Sequence, residues 1–226
     1  GTWDYSGLGN HGNVTGAIWN STGGYDRKGA YMFDGINDSI NISNQHYFES
    51  VCNNGCTFGA WITWGNRSSS GHTIVSRDNE SQRFFQLIVL SSGDLQLNIG
   101  KNGTPTGSNL CTATSTPSTI QLNTWQYVAG RYNLTHTTLF INGTEVASTS
   151  CTNFNEVNYT AWQAVKVNTH IGREDGTAGA VGSLANFNGT IDEVMIWNRS
   201  LSAEQIWALS QNQTNVIVAQ ETVHGE

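Results

Sequence analysis

The chain has 226 residues, a formal net charge of −7 and only 12% charged residues, with 10 Lys and Arg together. So few basic side chains leave no patch to neutralise phosphates, which argues against nucleic acid as a partner. No apolar run approaches the length of a membrane span, and the aromatic content of 10% is too high for a disordered chain.

Short segments with strand-type residues, separated by turns that contain Gly and Asn, recur along the chain. This pattern predicts an antiparallel sandwich or barrel. In chain order, the predicted strands are 30–33, 39–42, 57–64, 84–90, 94–99, 125–132, 138–141, 144–146, 165–171 and 189–197. Two stretches rich in small or hydroxyl side chains, 103–118 and 174–187, are predicted to be long loops.

Two local signals predict specific backbone structure. Asn142-Gly143 favours a type I′ turn, because both central residues of that turn need positive φ. Ser202 and Gln205 have the spacing of a capping box at the start of a single helix over 203–209. Without a repeat or a linker, residues 1–211 are interpreted as one domain and 212–226 as a C-terminal extension.

Four cysteines, Cys52, Cys56, Cys111 and Cys151, allow three ways of forming two disulfides. We favour Cys52–Cys56, which closes a short turn, and Cys111–Cys151, which joins two loops. The alternative is a zinc site. Structural zinc usually needs paired, closely spaced cysteines or nearby His, and only Cys52 and Cys56 are close in sequence.

Asn-X-Ser/Thr sequons are unusually frequent. The chain contains 25 Asn and 46 Ser or Thr, a composition that gives about five sequons by chance, yet it has thirteen. The excess predicts a glycosylated extracellular or cell-surface protein. We expect a processed segment whose targeting signal has been removed. The sequon asparagines are Asn13, Asn20, Asn37, Asn41, Asn66, Asn79, Asn102, Asn133, Asn142, Asn158, Asn188, Asn198 and Asn212.

Six segments, taken together, resemble the LamG-like, concanavalin A-like jelly-roll family. Residues 4–12, DYSGLGNHG, resemble the D-x-S-G-x-x-N-H-G opening loop of these domains, and residues 33–40, FDGINDSI, resemble their F-D-G-x-N-D-x-I segment. The remaining similar segments follow in the family order and are 125–129, 139–146, 187–194 and 196–206. The resemblance covers about residues 4–210.

The resemblance implies an all-β, two-sheet antiparallel jelly-roll sandwich with one short C-terminal helix. Many members of the family carry a structural calcium ion. The resemblance assigns this ion to Asp4, Asn10 and Asp192, with backbone carbonyl groups nearby, and oxygen ligands of this kind suit Ca²⁺. The alternative is that Asp4 caps a turn and Asp192 accepts hydrogen bonds from loop N–H groups, with no metal.

Two departures from the family suggest self-assembly. The strand that usually precedes the opening loop is absent, and the C-terminal residues 215–223 have strand composition. The segment Val216, Ile217, Val218 and Ala219 could fill the vacant strand position in the next copy by donor-strand complementation. Repeated head to tail, this contact would build a filament, with further copies or other surface proteins as partners. Alternatively, the tail folds back on its own domain.

The second functional hypothesis is a carbohydrate-binding or adhesion module. Sugars stack on exposed aromatic rings while polar loops supply hydrogen bonds. The candidate aromatic residues are Trp3, Trp19, Trp64, Trp162 and Trp207.

Catalysis is not expected from the sequence. The E-x-D-x-x-E pattern that places two carboxyl groups on one strand face is absent. Asp192 and Glu193 are adjacent, so a regular strand would point them to opposite faces. No G-x-S-x-G elbow or closely spaced pair of His residues occurs. We therefore predict a protein that is not an enzyme.

Overall fold

A computed structural model describes residues 1–42, 48, 50–65, 71–79, 82–101, 110–151, 167–175 and 185–212. The strands in these ranges are β1 (Gly12–Thr15), β2 (Ile18–Asn20), β3 (Ala30–Asp34), β4 (Ser39–Ile42), β5 (Cys56–Trp64), β6 (His72–Asn79), β7 (Gln82–Val89), β8 (Leu95–Gly100), β9 (Leu110–Thr114), β10 (Gln126–Tyr132), β11 (His136–Ile141), β12 (Thr144–Ser150), β13 (Thr169–Ile171) and β14 (Asn188–Trp197). A helix, α1 (Ala203–Ser210), follows the last strand.

The strands form two antiparallel seven-stranded sheets. Sheet A has the order β1-β4-β13-β6-β7-β8-β9, and sheet B has the order β12-β11-β10-β5-β14-β3-β2. This architecture confirms the predicted two-sheet antiparallel sandwich with one short C-terminal helix. None of the helical segments in the described ranges has the length and hydrophobicity that a bilayer-spanning helix requires.

The main core lies between the sheets and contains the inward side chains of both. Phe58 of β5 stacks on Phe85 of β7 across the interface, with ring centroids 4.5 Å apart. Sheet B also buries part of its outer face, where Tyr127, Phe140 and Ile206 belong to a second apolar cluster with α1. Strand β5 is therefore buried on both faces, which explains its almost uninterrupted apolar sequence.

One predicted loop is partly wrong. Residues 110–114 form β9, although 103–118 reads as a loop because of its many hydroxyl side chains. Cys111 and Ala113 pair with Ile99 and Leu97 of β8 and face the core. The sequence therefore alternates as a strand does, but its inward side chains are small and only weakly hydrophobic. Of the rest of this stretch, 103–109 lies outside the described residues.

Other strand predictions differ in extent. Strands β1, β2 and β6 lack a strong apolar run and were not predicted, whereas β12 extends to Ser150, beyond the predicted 144–146. Only 169–171 of the predicted strand 165–171 is a strand, and residues 165 and 166 lie outside the described ranges. Edge strands and weakly apolar strands depend on pairing with a neighbour, which a single segment does not reveal.

The local turn and cap signals are confirmed. Asn142 and Gly143 have φ of 50° and 80°, as a type I′ turn requires. The Ser202 side chain accepts a hydrogen bond from the Gln205 backbone N–H, and the Gln205 side chain accepts one from the Ser202 backbone N–H. This reciprocal capping box begins α1 at the predicted position.

The cysteines form the favoured pairs, Cys52–Cys56 and Cys111–Cys151. Cys111 lies in β9, the edge strand of sheet A, and Cys151 directly follows β12, the edge strand of sheet B. The Thr137 side chain lies 3.2 Å and 3.4 Å from the two sulfurs of this bond. The second disulfide therefore closes one side of the sandwich.

The two disulfides should differ in their contribution to stability. They span 40 and 4 residues, and loop-closure entropy grows with the length of the closed loop. We expect Cys111→Ser with Cys151→Ser to lower the free energy of unfolding by about 4 kcal/mol, and the Cys52→Ser, Cys56→Ser pair to lower it by about 2 kcal/mol. Urea unfolding of both double variants measures this difference, and equal losses would contradict it.

The outer face of sheet A carries a buried polar row. His170, Ser76, Gln86, Asn98 and Thr112 are successive cross-strand partners from β13 to β9. The Asn98 amide donates to the Gln86 side-chain oxygen at 3.1 Å, and the Thr112 hydroxyl donates to the Asn98 side-chain oxygen at 2.8 Å. These bonds offset the cost of burying polar groups on this face.

Residues 173–175 lie against this row. The Ser76 hydroxyl donates to the Arg173 carbonyl at 2.9 Å, and the Gln86 amide donates to the Glu174 carboxylate. The Asp175 backbone N–H donates to the Asp78 carbonyl at 2.8 Å. The segment is thus tied to both β6 and β7.

Asp78 is a fully buried carboxyl group beside this segment. Burial raises its pKa to about 7, the nearby Glu174 charge adds to the rise, and Arg83 opposes it. The Arg83 Nε atom lies 2.6 Å from the Asp78 carboxylate. The folded protein therefore binds a proton at Asp78 over a pH range in which the unfolded chain, with a pKa of about 3.9, does not.

Asp78 should make the domain more stable in mildly acidic solution. Between pH of about 4 and about 7, the folded state holds the extra proton, so the free energy of unfolding falls as the pH rises through this range. Each pKa unit corresponds to about 1.4 kcal/mol. Asp78→Asn, which resembles the protonated acid, should flatten this dependence. Chemical denaturation from pH of about 5 to about 8 measures it, and identical profiles for the two proteins would contradict the assignment.

Candidate functional site

The site lies on the outer face of sheet B, next to the part that α1 covers. Asp192 of β14, Trp61 of β5 and Tyr127 of β10 are successive cross-strand partners in one row. Tyr127 packs edge-on against Trp61, with ring centroids 5.6 Å apart, and belongs to the cluster under α1. Asp192 therefore ends this row on the side where the β2–β3 loop approaches.

Tyr25, in the β2–β3 loop, covers Trp61. Its backbone N–H donates to Asp192 Oδ2 at 3.0 Å, and its ring stacks on Trp61 at a centroid distance of 3.4 Å and an angle of 8°. Trp61 is only 5% exposed, whereas Tyr25 is 42% exposed. The stack uses one face of the Tyr25 ring, so the opposite face is accessible to a ligand.

Trp125 forms a second aromatic wall. Its ring lies 6.5 Å from that of Tyr25 at an angle of 70°, and its side chain is partly buried against the α1 cluster. The two rings form a corner, in which Tyr25 supplies a flat exposed face and Trp125 stands beside it at a steep angle. Such corners are rigid because each aromatic ring has few rotatable bonds and both are packed.

Gly24 allows the loop to approach Asp192. It has φ of 88°, and a Cβ atom there would lie 2.7 Å from Asp192 Oδ2 and 2.8 Å from the Gly29 carbonyl oxygen. A larger residue here would adopt an unfavourable positive φ and would collide with these oxygen atoms, so the loop would have to move. The glycine thus permits the hydrogen bond that positions Tyr25.

A β-bulge interrupts β14 at Asp192 and Glu193. The pairing of β14 with β5 shifts register between Asp192 and Met195, and Glu193 has φ of 49°. The expectation that Asp192 and Glu193 point to opposite faces assumed a regular strand, and the strand is not regular at this pair. Both carboxylates lie within electrostatic reach of Asp26.

The charges of this cluster are only partly compensated. Burial raises the pKa of Asp192, and Asp26 raises it further against the hydrogen bonds from Tyr25 and Glu193. Burial also raises the pKa of Glu193, with added repulsion from Asp192 and Asp26, while the charge of Lys28 opposes the rise. The Lys28 ammonium lies 2.9 Å from the Asp26 carboxylate but is largely exposed. The site is therefore acidic as well as aromatic.

Of the residues assigned to calcium, Asp4 and Asn10 lie in the opening loop before β1, and Asp192 lies in β14. The Asp4 carboxylate accepts bonds from the Ser6 N–H and hydroxyl and from the Asn10 N–H. Asn10 Oδ1 is buried and has no hydrogen-bond partner, and an oxygen of this kind beside a carboxylate fits a Ca²⁺ ligand.

Asp192 bonds to Tyr25 and Glu193, so the described hydrogen-bond partners of Asp192 and Asp4 have no residue in common. Within the described ranges, no group of three or more His, Cys, Asp and Glu residues is arranged to hold a metal ion. The calcium site stays a prediction.

The sequon asparagines have different surroundings. Asn20 and Asn133 each accept bonds from the backbone N–H and hydroxyl of their own sequon threonine. Asn142 accepts the Tyr127 N–H at 2.9 Å, whereas the Asn188 amide donates to the Asp34 carbonyl at 2.8 Å.

Other sequon positions lie along the strands or just outside the described part of the chain. Asn13 and Asn41 face each other on β1 and β4, and Asn79 ends β6. Three others, Asn66, Asn102 and Asn158, lie outside the described residues. Glycosylation stays a prediction.

Sequence reasoning found only part of the exposed aromatic surface. Trp3, Trp19 and Trp207 are exposed as proposed, but Trp64 is fully buried because it faces the core at the end of β5. Trp162 and the tail residues 216–219 lie outside the described ranges. Tyr25 was missed because only the contact between a loop and a distant strand marks it as part of a site. The pair Gly23-Gly24 before it was the one local signal of a close approach.

The comparisons with known proteins identify the family. A sequence profile described as the concanavalin A-like lectin/glucanases superfamily matches residues 33–207. The chain belongs to this family. No curated protein sequence matches it.

Solved structures of clostridial toxin binding domains share the fold. The binding domain of Paraclostridial Mosquitocidal Protein 1 has a TM-score of 0.67 and 16% identity, over 92% of this chain and 49% of the other. The receptor-binding domain of botulinum neurotoxin C/D mosaic serotype has a TM-score of 0.64 and 15% identity, over 91% and 47%.

The botulinum neurotoxin serotype D ligand-binding domain, solved with N-acetylneuraminic acid, has a TM-score of 0.62 and 15% identity, over 91% and 47%. The present chain thus spans about half the length of these structures, and identities this low show only the fold.

Proposed function

We propose that this domain is a carbohydrate-binding module of an extracellular protein and that its ligand stacks on Tyr25. The observation that carries the proposal is the exposed Tyr25 ring, stacked on Trp61 and held by the Asp192 carboxylate. Pyranose rings present apolar C–H faces to such aromatic surfaces, and neighbouring polar groups set their orientation.

The site is organised before a ligand arrives. The Tyr25 backbone is bound to Asp192, its ring is packed on Trp61, and Gly24 provides the space for both contacts. A rigid platform loses little conformational entropy on binding, which favours affinity for a small ligand. Trp125 adds a second surface at a steep angle for a neighbouring sugar unit.

Several features support a binding role outside the cell. The family includes lectins, and the similar solved structures are binding domains, one of them with a bound sialic acid. Two disulfides suit an oxidising compartment, and the excess of sequons agrees with that location. The proposed activity is reversible binding without chemical turnover.

Glycan binding should depend on Tyr25. We expect the domain to bind a subset of glycans on an array. Tyr25→Ala should weaken binding of the best ligand about tenfold, because a loss of about 1.4 kcal/mol of stacking free energy corresponds to a factor of ten in affinity. Isothermal titration calorimetry measures this loss. The matched control is Tyr5→Ala, which removes a tyrosine that is 94% exposed in the opening loop. An array without any bound glycan, or equal losses in the two variants, would contradict the proposal.

A second candidate function is self-assembly through the edge of sheet B. Strand β2 has only three residues, and its Ile18 pairs with Met32 of β3. Ile18 is 62% exposed and Met32 is 39% exposed, so an apolar cross-strand pair lies at an edge that an added strand could extend. The apolar tail segment 216–219 of another copy is the proposed occupant.

The assembly proposal predicts two independent ways to obtain a monomer. Truncation after Gln211 and Ile18→Lys should each abolish the concentration-dependent oligomers or filaments of the full chain, because one removes the added strand and the other its apolar contact. Electron microscopy and light scattering report the result. Ile36→Lys, at another exposed apolar residue, should change nothing. A full chain that stays monomeric at high concentration would overturn the proposal.

A further inference from the structure

We propose that the Tyr25 site selects glycans that carry a protonated amino group over neutral and acidic glycans. The inference rests on the proposed function and names the ligand class of the same site. Its basis is the combination of the aromatic corner formed by Tyr25 and Trp125 with the neighbouring carboxylates of Asp192, Glu193 and Asp26.

The first step concerns the carboxylates. Asp192 fixes the Tyr25 backbone, and Glu193 directly follows it at the bulge. Within the described residues, neither of them forms an ion pair, whereas Asp26 has Lys28 at 2.9 Å. The Lys28 side chain is 81% exposed. Water and salt therefore screen its positive charge, which offsets the negative charge of the cluster only weakly. An added positive charge would therefore be stabilised here.

The second step concerns the rings. The faces of Tyr and Trp rings are electron-rich and attract an ammonium group placed within about 6 Å of the ring centre. Tyr25 offers an accessible face, and Trp125 stands at 70° to it with its centroid 6.5 Å away. An amino group on a sugar stacked on Tyr25 would thus contact an aromatic face and the field of the carboxylates together.

The third step concerns anionic sugars. The whole chain has a formal net charge of −7, and the three carboxylates add a local negative potential. A sugar carboxylate placed on Tyr25 would be repelled by Asp192 and Glu193. This site therefore suits a ligand opposite in charge to the N-acetylneuraminic acid bound by the serotype D neurotoxin domain.

The test compares two ligands that differ only at nitrogen. In mildly acidic buffer, the tetramer of β-1,4-linked glucosamine carries ammonium groups, and the tetramer of N-acetylglucosamine carries neutral amides. Titration calorimetry of the full chain at about 20 mM NaCl should show about fivefold tighter binding of the amine form. The preference should shrink at about 0.5 M NaCl, where charges are screened over a few ångströms.

Two variants locate the effect. Glu193→Gln keeps the size of the side chain and should reduce the preference for the amine tetramer over the acetylated tetramer. Glu145→Gln removes an exposed carboxylate from β12 and should leave the preference intact. Circular dichroism spectra of both variants serve as the control that they are folded.

The outcomes separate this inference from the proposed function. Equal affinities for the two tetramers, or tighter binding of a sialylated trisaccharide, would overturn the amine preference while glycan binding stands. Preference that persists in Glu193→Gln would overturn the role of the carboxylates. Absence of binding to any glycan, on the array as well as in titration, would overturn both proposals.

Discussion

Sheet B must bury apolar side chains on both of its faces, and much of the structure follows from this constraint. The inner face packs against sheet A through residues such as Phe58, while the outer face presents Trp61 and Tyr127. Helix α1 covers the Tyr127 side, and the Tyr25 ring covers Trp61. Covering Trp61 with a ring that is itself half exposed leaves an aromatic surface toward solvent, where a ligand can replace water.

Asp192 connects this packing with the chemistry of the site. Its carboxylate is partly buried in the sheet, and this loss of hydration costs free energy. The hydrogen bond that it accepts from the Tyr25 N–H partly offsets the cost. The bulge that follows includes Glu193, whose carboxylate is repelled by those of Asp192 and Asp26. One short segment of β14 therefore supplies the anchor for the aromatic platform and its negative charge. Left-handed backbone at a residue other than Gly is uncommon, and it often accompanies functional sites.

Sheet A shows a different use of polar residues. Its outer row of side chains is buried and hydrogen-bonded to residues 173–175, and Asp78 lies at the end of this arrangement with a pKa raised to about 7 by burial. Asp78 is fully buried, so its titration acts on the stability of the domain and on the pH dependence of that stability. The accessible site on sheet B and the buried network on sheet A belong to separate sheets and can be varied independently.

Local patterns in the sequence were sufficient for the class of fold, the central strands, the Asn142-Gly143 turn, the start of α1 and the pairing of the cysteines. Most of these depend on residues close in the chain or on alternation within one segment. The exception is Cys111–Cys151, which joins residues 40 positions apart and was favoured among three pairings. They were insufficient for β9, for the bulge at Asp192 and for the Tyr25 stack. The contact between Tyr25 and Asp192 joins residues 167 positions apart, and it exists only because β14, β5 and β3 are ordered side by side. Strand order is set by packing of the whole chain, so the tertiary structure alone placed the site.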